Sequence, residues 1–167
     1  MTPLVIRTAR LDLVLRTPDE VLAWVESLPP SDRAEVAAGW IAKVRATPAG
    51  DPWSLAYATI ERGSGIEVGG CSFKGPPDTD GVVEVAYGVD EPYRCRGFAT
   101  EMARGLSDFA LAGGHATRVR AHAKRGNAAS ARVLEKSGFH RLGEVLDPED
   151  GVVDRWERRA SQSPPAG

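Results

Sequence analysis

Residues 87–101 read Tyr87-Gly88-Val89-Asp90-Glu91-Pro92-Tyr93-Arg94-Cys95-Arg96-Gly97-Phe98-Ala99-Thr100-Glu101. Upstream, Val82–Val89 has the β-branched character of a strand. Downstream, Phe98, Met102, Leu106, Phe109 and Ala110 recur at helical spacing, which predicts a helix over Phe98–Ala112 ended by Gly113-Gly114. The segment is therefore strand, glycine-bearing loop, helix. The first N–H groups of a helix have no partner inside it, and aligned peptide dipoles put about half a positive charge there. Such an end holds phosphate. Gly97 permits close approach, Ala99 keeps the first turn narrow, and Arg94 and Arg96 add charge. The same residues also make an ordinary strand-to-helix turn whose arginines face water.

Working outward, Leu11, Leu13 and Leu15 alternate with Asp12, Val14 and Arg16, a strand over Arg10–Arg16. Thr17-Pro18-Asp19-Glu20 follows, with a cap, a proline for the first helical position and a capping-box glutamate. That helix is expected to bury Val21, Leu22, Trp24 and Val25 and to stop at Pro29-Pro30. A second helix is predicted over Ser31–Ala46, with Ala37, Trp40, Ile41 and Val44 on one face. Strands are predicted over Trp53–Glu61, Ile66–Phe73 (with Gly69-Gly70 marking a bulge) and Val82–Val89. After the Phe98 helix come a strand over Thr117–Ala123 and a short helix opened by Asn127 and closed by Gly138. A hairpin over Phe139–Val145 and Val152–Arg158 turns at Asp147-Pro148-Glu149-Asp150-Gly151. The order is β-α-α-β-β-β-α-β-α-β-β. The fold class is α/β (α+β), a mixed and mostly antiparallel sheet with helices on both faces and one parallel crossover. One domain spans residues 1–160, with a frayed tail over 161–167.

A chain of 167 residues is one domain's worth, and 42% hydrophobic with 26% charged residues is ordinary globular composition. No apolar stretch approaches ~18 residues, so no membrane span is expected. The first 16 residues lack the apolar block of a secretory signal. Two cysteines, Cys71 and Cys95, make no disulfide framework, and a reduced cytoplasmic protein is expected. The net charge of −2 conceals an asymmetry: residues 94–141 carry ten basic and three acidic side chains. That basic segment suggests an anionic partner, or a face neutralised by acidic neighbours in space. Nucleic acid is not expected, because no aromatic residues interleave with the arginines. No metal is expected either: His115, His122, His140, Cys71 and Cys95 lack ligand spacing. The G-x-x-x-x-G-K-[ST], G-x-G-x-x-G and G-x-S-x-G motifs are absent.

Arg94-Cys95-Arg96-Gly97-Phe98-Ala99 resembles the [QR]-x-x-G-x-[GA] pyrophosphate loop of the GNAT superfamily of N-acetyltransferases. Asn127-Ala128-Ala129-Ser130-Ala131-Arg132-Val133-Leu134-Glu135-Lys136-Ser137-Gly138-Phe139 resembles the N-x-x-S-x-x-x-L-E-K-x-G-F signature of its subgroup containing the ribosomal-protein N-terminal-alanine acetyltransferases. Thr8-Ala9-Arg10-Leu11-Asp12-Leu13 is similar to that subgroup's first strand. The likeness spans about residues 8–158, and the element order is similar to the GNAT fold.

What the resemblance implies is acetyl-CoA-dependent transfer to an amine, the partners being acetyl-CoA and an amine acceptor, with a homodimer left open. Arg94, Cys95, Arg96, Gly97, Phe98, Ala99 and Thr100 would hold the pyrophosphate, chiefly through the amides of Arg96 to Thr100. Gly88 and Val89 would pair with the pantetheine, and Asn127 would bind its arm. The Val89 amide would stabilise the developing oxyanion, and Ser130 would assist the leaving thiolate. Many relatives carry a tyrosine where this chain has Leu134. For the base, Glu84 is placed among apolar residues, which would raise its pKa; His122 is the rival. Glu101, in the helix's first turn, reads as mainly structural, with a contact to substrate as the alternative. Cys95 is either a reactive thiol or a small filler. Trp24, Trp40, Trp53 and Trp156 either line the acceptor cleft or belong to the core. A non-catalytic acyl-CoA-binding regulator is the alternative function.

Overall fold

Val5–Arg7 (β1) and Leu11–Leu15 (β2) pair antiparallel, joined by a turn at Thr8–Arg10. The computed structural model describes residues 2–36, 38–148 and 150–160. The helix Pro18–Ser27 (α1) begins as its sequence predicts: the Thr17 hydroxyl accepts from the Glu20 N–H, and the Glu20 carboxylate accepts from the Thr17 N–H. Val21 and Val25 are buried, but Trp24 is 42% exposed, contrary to expectation. The stripe that packs is Val21–Val25, and Trp24 flanks it. The expected second helix is two, Pro30–Glu35 (α2) and Ala38–Ala46 (α3). Val36, β-branched, takes an extended backbone between them. Ala37, expected on the core face, lies outside the described residues, as do Glu149 of the hairpin turn and the tail 161–167.

The sheet continues with Tyr57–Glu61 (β3), Glu67–Phe73 (β4) and Val82–Val89 (β5). Trp53 is not in β3. Its N–H bonds the Asp51 carboxylate in a side-chain turn, and its ring packs on Phe73, Phe109 and His115. The expected bulge is present: Thr59 faces Gly69 while Ile60 faces Glu67, so Val68 is the extra residue.

A single 3₁₀ turn, Glu91–Tyr93, leads to the helix Phe98–Ala112 (α4), with the predicted bounds. Then come Arg118–Lys124 (β6), Ala128–Lys136 (α5), His140–Asp147 (β7) and Gly151–Arg159 (β8). The eight strands run in the order β1-β2-β3-β4-β5-β6-β8-β7, antiparallel throughout except β5–β6. The predicted class is observed. Sequence reading missed β1, too short at three residues to show a period.

One sheet face carries the core. Leu11, Leu13, Leu15, Tyr57, Phe73, Val83 and Val85 are buried with Phe98, Met102, Leu106 and Ala110 of α4. α4 lies close: a Cβ on Gly105 would come 2.8 Å from Thr8 Cγ2 and 3.3 Å from Leu13 Cδ1. Trp156 is buried in this core, and Trp40 and Trp53 pack against it.

At Gly69 the approach is tighter. A Cβ there would lie 2.2 Å from the Gly88 carbonyl oxygen, a backbone atom that cannot swing aside. Gly69→Ala should therefore push β4 from β5 and cost roughly 2–4 kcal/mol. Urea unfolding measures this; a loss under about 1 kcal/mol would show that the strands have room to part.

Candidate active site at the β5–β6 fork

The parallel pairing of β5 with β6 lasts for three residue pairs: Val82 with Arg118, Val83 with Val119 and Glu84 with Arg120. Beyond Glu84, β5 keeps to β4 as far as Gly69–Val89, and β6 keeps to β8 as far as Lys124–Val153. The two strands part as a fork. The N–H of Lys74 bonds the carbonyl of Glu84, and the N–H of Asp90 bonds the carbonyl of Val68. Antiparallel alternation then turns the backbone groups of Glu84, Ala86 and Gly88 towards β4 and those of Val85, Tyr87 and Val89 into the fork. The Val89 carbonyl accepts from Arg94 Nε at 3.0 Å, leaving its N–H for another partner. Of the two residues expected to pair with a pantetheine, Val89 offers its backbone, and Gly88 is an exposed position without a side chain.

At the fork's mouth stands the loop that opens α4. Cys95 has φ +64° and Gly97 φ +83°. Left-handed backbone is uncommon for a non-glycine residue, and it turns successive amides towards one side. Among the described residues, no acceptor receives the N–H groups of Cys95, Arg96, Gly97, Phe98, Ala99 and Thr100. The first bond into the helix is Glu101 N–H to the Gly97 carbonyl. By contrast, α1 is closed by its capping box and α5 by Asn127, whose Oδ1 accepts from the Ser130 N–H at 3.1 Å. The open end belongs to the 15-residue helix, the longest. Arg94, Cys95 and Arg96 are exposed, Phe98 is buried, and the Arg96 guanidinium sits 5.9 Å from the Tyr93 ring centroid. An anion-binding cradle of this form fits a diphosphate.

The basic segment is explained in part by neighbours. Arg118 and Arg120 converge on Glu157, which is 5% exposed; Arg125 pairs with Glu144, and Arg141 with Asp154. Arg94 and Arg96 stand at the cradle instead.

Glu84 is at the fork's crotch, but not among apolar groups as expected. Its carboxylate lies 2.8 Å from Lys74 Nζ and 3.2 Å from His122 Nδ1. The adjacent residues Val83 and Val85 point to the opposite face, which period-two alternation in the sequence already implied. Lys74 and Arg155, which sequence reading did not select, complete the cluster: Arg155 Nε donates to His122 Nε2 at 3.1 Å. His122 Nδ1 is buried and off the hydrogen-bond line to Glu84. Burial pushes the imidazole below the ordinary histidine range; Glu84 opposes this and Arg155 adds to it. Burial also acts to lower the Lys74 ammonium, but the bond to Glu84, with the Asp150 and Asp147 carboxylates of the hairpin tip, holds it above its usual value.

Ser130 is half-buried on the first turn of α5, while Leu134 is fully buried in the core. Glu101 takes three donors, from Thr8 Oγ and from the N–H and Nε of Arg10, and so ties the first turn of α4 to the Thr8–Arg10 turn. Burial alone would raise its pKa, yet these bonds hold it below the usual carboxylate value. A cavity of about 520 Å³ lies away from the fork, between the end of α5 and the start of β7. Among the described residues, no group of acidic, histidine and cysteine side chains forms a metal site, and no helix is long and apolar enough to cross a membrane.

Comparison with known proteins agrees with this fold. The uncharacterized N-acetyltransferase YjdG of Bacillus subtilis (strain 168) is 30% identical over 89 residues, which are 53% of this chain and 50% of that protein. The matched region thus spans half the length of that relative. Among solved structures, a GNAT-family acetyltransferase from Bacillus anthracis superposes with a TM-score of 0.67 at 20% identity, over 95% of this chain and 100% of that one. RimL, a ribosomal L7/L12 alpha-N-protein acetyltransferase solved with coenzyme A, gives 0.70 at 15% identity over 93% and 98%. AAC(6')-Ib, solved with parmomycin and acetyl-CoA, gives 0.68 at 20% identity over 90% and 93%. At these identities the structures share the fold. The family described as acetyltransferase (GNAT) domain matches residues 4–140, most of the chain, and the protein belongs to the GNAT acetyltransferase family.

Proposed function

We propose that the protein transfers an acetyl group from acetyl-CoA to a primary amine, by direct attack in a ternary complex. The observation that carries this is the run of six amides without an acceptor among the described residues, opening beside a fork where β5 leaves β6. The amides of Arg96 to Thr100 take the diphosphate, with Arg94 and Arg96 as neighbouring cations. The Val89 N–H faces the fork, where it donates to the thioester oxygen as charge develops. The Asn127 oxygen is committed to its cap, which leaves the carboxamide N–H groups for the pantetheine arm.

Attack needs a neutral amine. The amine's lone pair forms the C–N bond as the C–S bond breaks, and a proton leaves the nitrogen. Glu84 is the base, directly or through water. Lys74 holds it, while His122 Nε2 accepts from Arg155 and its Nδ1 is buried. Ser130 Oγ donates to the leaving sulfur. Carboxylates near the fork, Glu84 with Asp147 and Asp150, favour a cationic acceptor. A small-molecule amine and a protein N-terminus both meet that description. The ion-paired state of Glu84 favours a second reading, a regulator that binds acyl-CoA without turnover.

Acetyl-CoA and CoA at about 100 times Kd should stabilise the fold by ~2.7 kcal/mol, raising Tm by ~5–11 °C, whereas ATP should not. Amine-dependent CoA release across a panel of polyamines, aminoglycosides and peptides then separates enzyme from regulator. A protein that binds and never releases CoA is the regulator.

Glu84→Gln should lower kcat about 100-fold and leave acetyl-CoA affinity within twofold. Unchanged turnover from pH 6 to 9 would remove Glu84 as base.

His122 should titrate below 6.5 by NMR. The folded state disfavours its proton, so its contribution to stability is present above about pH 6.5. That contribution falls away as pH drops towards the folded pKa, where the unfolded chain binds the proton first. His122→Gln should flatten this part of the stability profile, and identical profiles between pH 7 and 5 would contradict the burial argument.

A further inference from the structure

The Thr8–Arg10 turn, part of the sequence likeness yet distant from the fork in the chain, reaches the cradle. The Arg10 N–H and Nε and the Thr8 hydroxyl all donate to Glu101, in the first turn of α4. The Arg10 guanidinium lies over the Phe98 ring, 4.6 Å from its centroid. Its Nη2 would come within 3.2 Å of a Cβ on Gly97, so it abuts the glycine of the loop. The turn itself is fixed from behind by Arg62, which donates to the carbonyls of Thr8, Ala9 and Leu11 and to Asp12 Oδ1.

We propose that Arg10 is a phosphate-binding residue for the diphosphate of the CoA donor, contributed from outside the loop. This rests on the acetyl-CoA reading above. Two features separate it from a plain staple. Thr8 and the Arg10 backbone already tie the turn to Glu101 without a cation. The guanidinium spends only Nε on Glu101, and among the described residues no acceptor takes Nη1 or Nη2. The pair is also asymmetric towards solvent: the Arg10 side chain is 47% exposed and that of Glu101 14%. The carboxylate is turned inward under three donors, and the outer pole of the pair is positive. A guanidinium with two free, aligned N–H edges suits a phosphate oxygen.

The test is calorimetric binding of acetyl-CoA and of S-acetylpantetheine, which lacks the diphosphate, to wild type, Arg10→Gln, Arg10→Lys and Thr8→Val. Arg10→Gln should weaken acetyl-CoA about tenfold or more and leave S-acetylpantetheine within twofold. Arg10→Lys should recover part of the loss, and the salt dependence of acetyl-CoA binding should be shallower in Arg10→Gln. Thr8→Val, which loosens the turn but keeps the cation, should bind acetyl-CoA within threefold of wild type. Equal weakening of both donors, or matching losses in Thr8→Val and Arg10→Gln, would make Arg10 a staple and overturn the proposal. So would wild-type affinity in Arg10→Gln. A wild-type protein without acetyl-CoA binding would instead bring down the functional reading on which this one stands.

Discussion

Three residue pairs of parallel ladder between β5 and β6 set the terms for everything else in the molecule. Each strand stays loyal to its antiparallel partner, β5 to β4 and β6 to β8, and the sheet's twist takes up the difference as a gap. An unpaired backbone N–H shut away from water costs about 1–3 kcal/mol. The edge of β5 beyond Glu84 must therefore meet either solvent or a ligand with complementary groups. An extended, amide-bearing chain lying in the gap satisfies that edge as a strand would. The open end of α4 follows the same logic: six successive amides have no acceptor among the described residues and need water or an anion.

Charge is arranged around this gap in two layers. On the cradle side, Arg94, Arg96 and the helix end are positive with little to neutralise them. On the sheet's polar face, Lys74, Glu84, His122 and Arg155 form a chain of contacts of about 3 Å. The Lys74 ion pair orients the Glu84 carboxylate at the crotch of the fork. The buried Glu157, shared by Arg118 and Arg120, ties β8 to β6 at the level of the three pairs that join β6 to β5.

Much of the fold was legible because its signals are local. The bounds of α4, the capping box of α1, the Asn127 cap and the bulge beside Gly69 each rest on residues within a few positions of one another. What the sequence concealed lies in long-range packing. Trp53 alternates correctly for a strand, yet the aromatic cluster of Phe73, Phe109 and His115 draws it out of the ladder. Ser31–Ala46 has one apolar period, yet the backbone breaks at Val36. The cradle was readable from Gly97 and its arginines. The surroundings of Glu84 were not, since Lys74 follows β4 while His122 and Arg155 lie on β6 and β8. Arg10 is 87 residues from Gly97 in sequence, and nothing short of the fold brings the two together.

The short helix α5 shows how packing constrains chemistry. Its inward face is spent on the core: Leu134 is fully buried, and Ser137, nearly so, donates to the carbonyls of Val133 and Thr100. A tyrosine at position 134 would have to displace core volume and find a partner for its hydroxyl. The part of α5 left for a ligand is thus its first turn, Asn127 to Ser130, directly after β6 ends. There a single residue serves two ends, because the Asn127 oxygen closes the helix while its amide nitrogen stays free to donate. In the proposed reaction, with no phenol available from this helix, a smaller hydroxyl or water would meet the leaving sulfur, and Ser130, one turn from that cap, is the hydroxyl this helix offers.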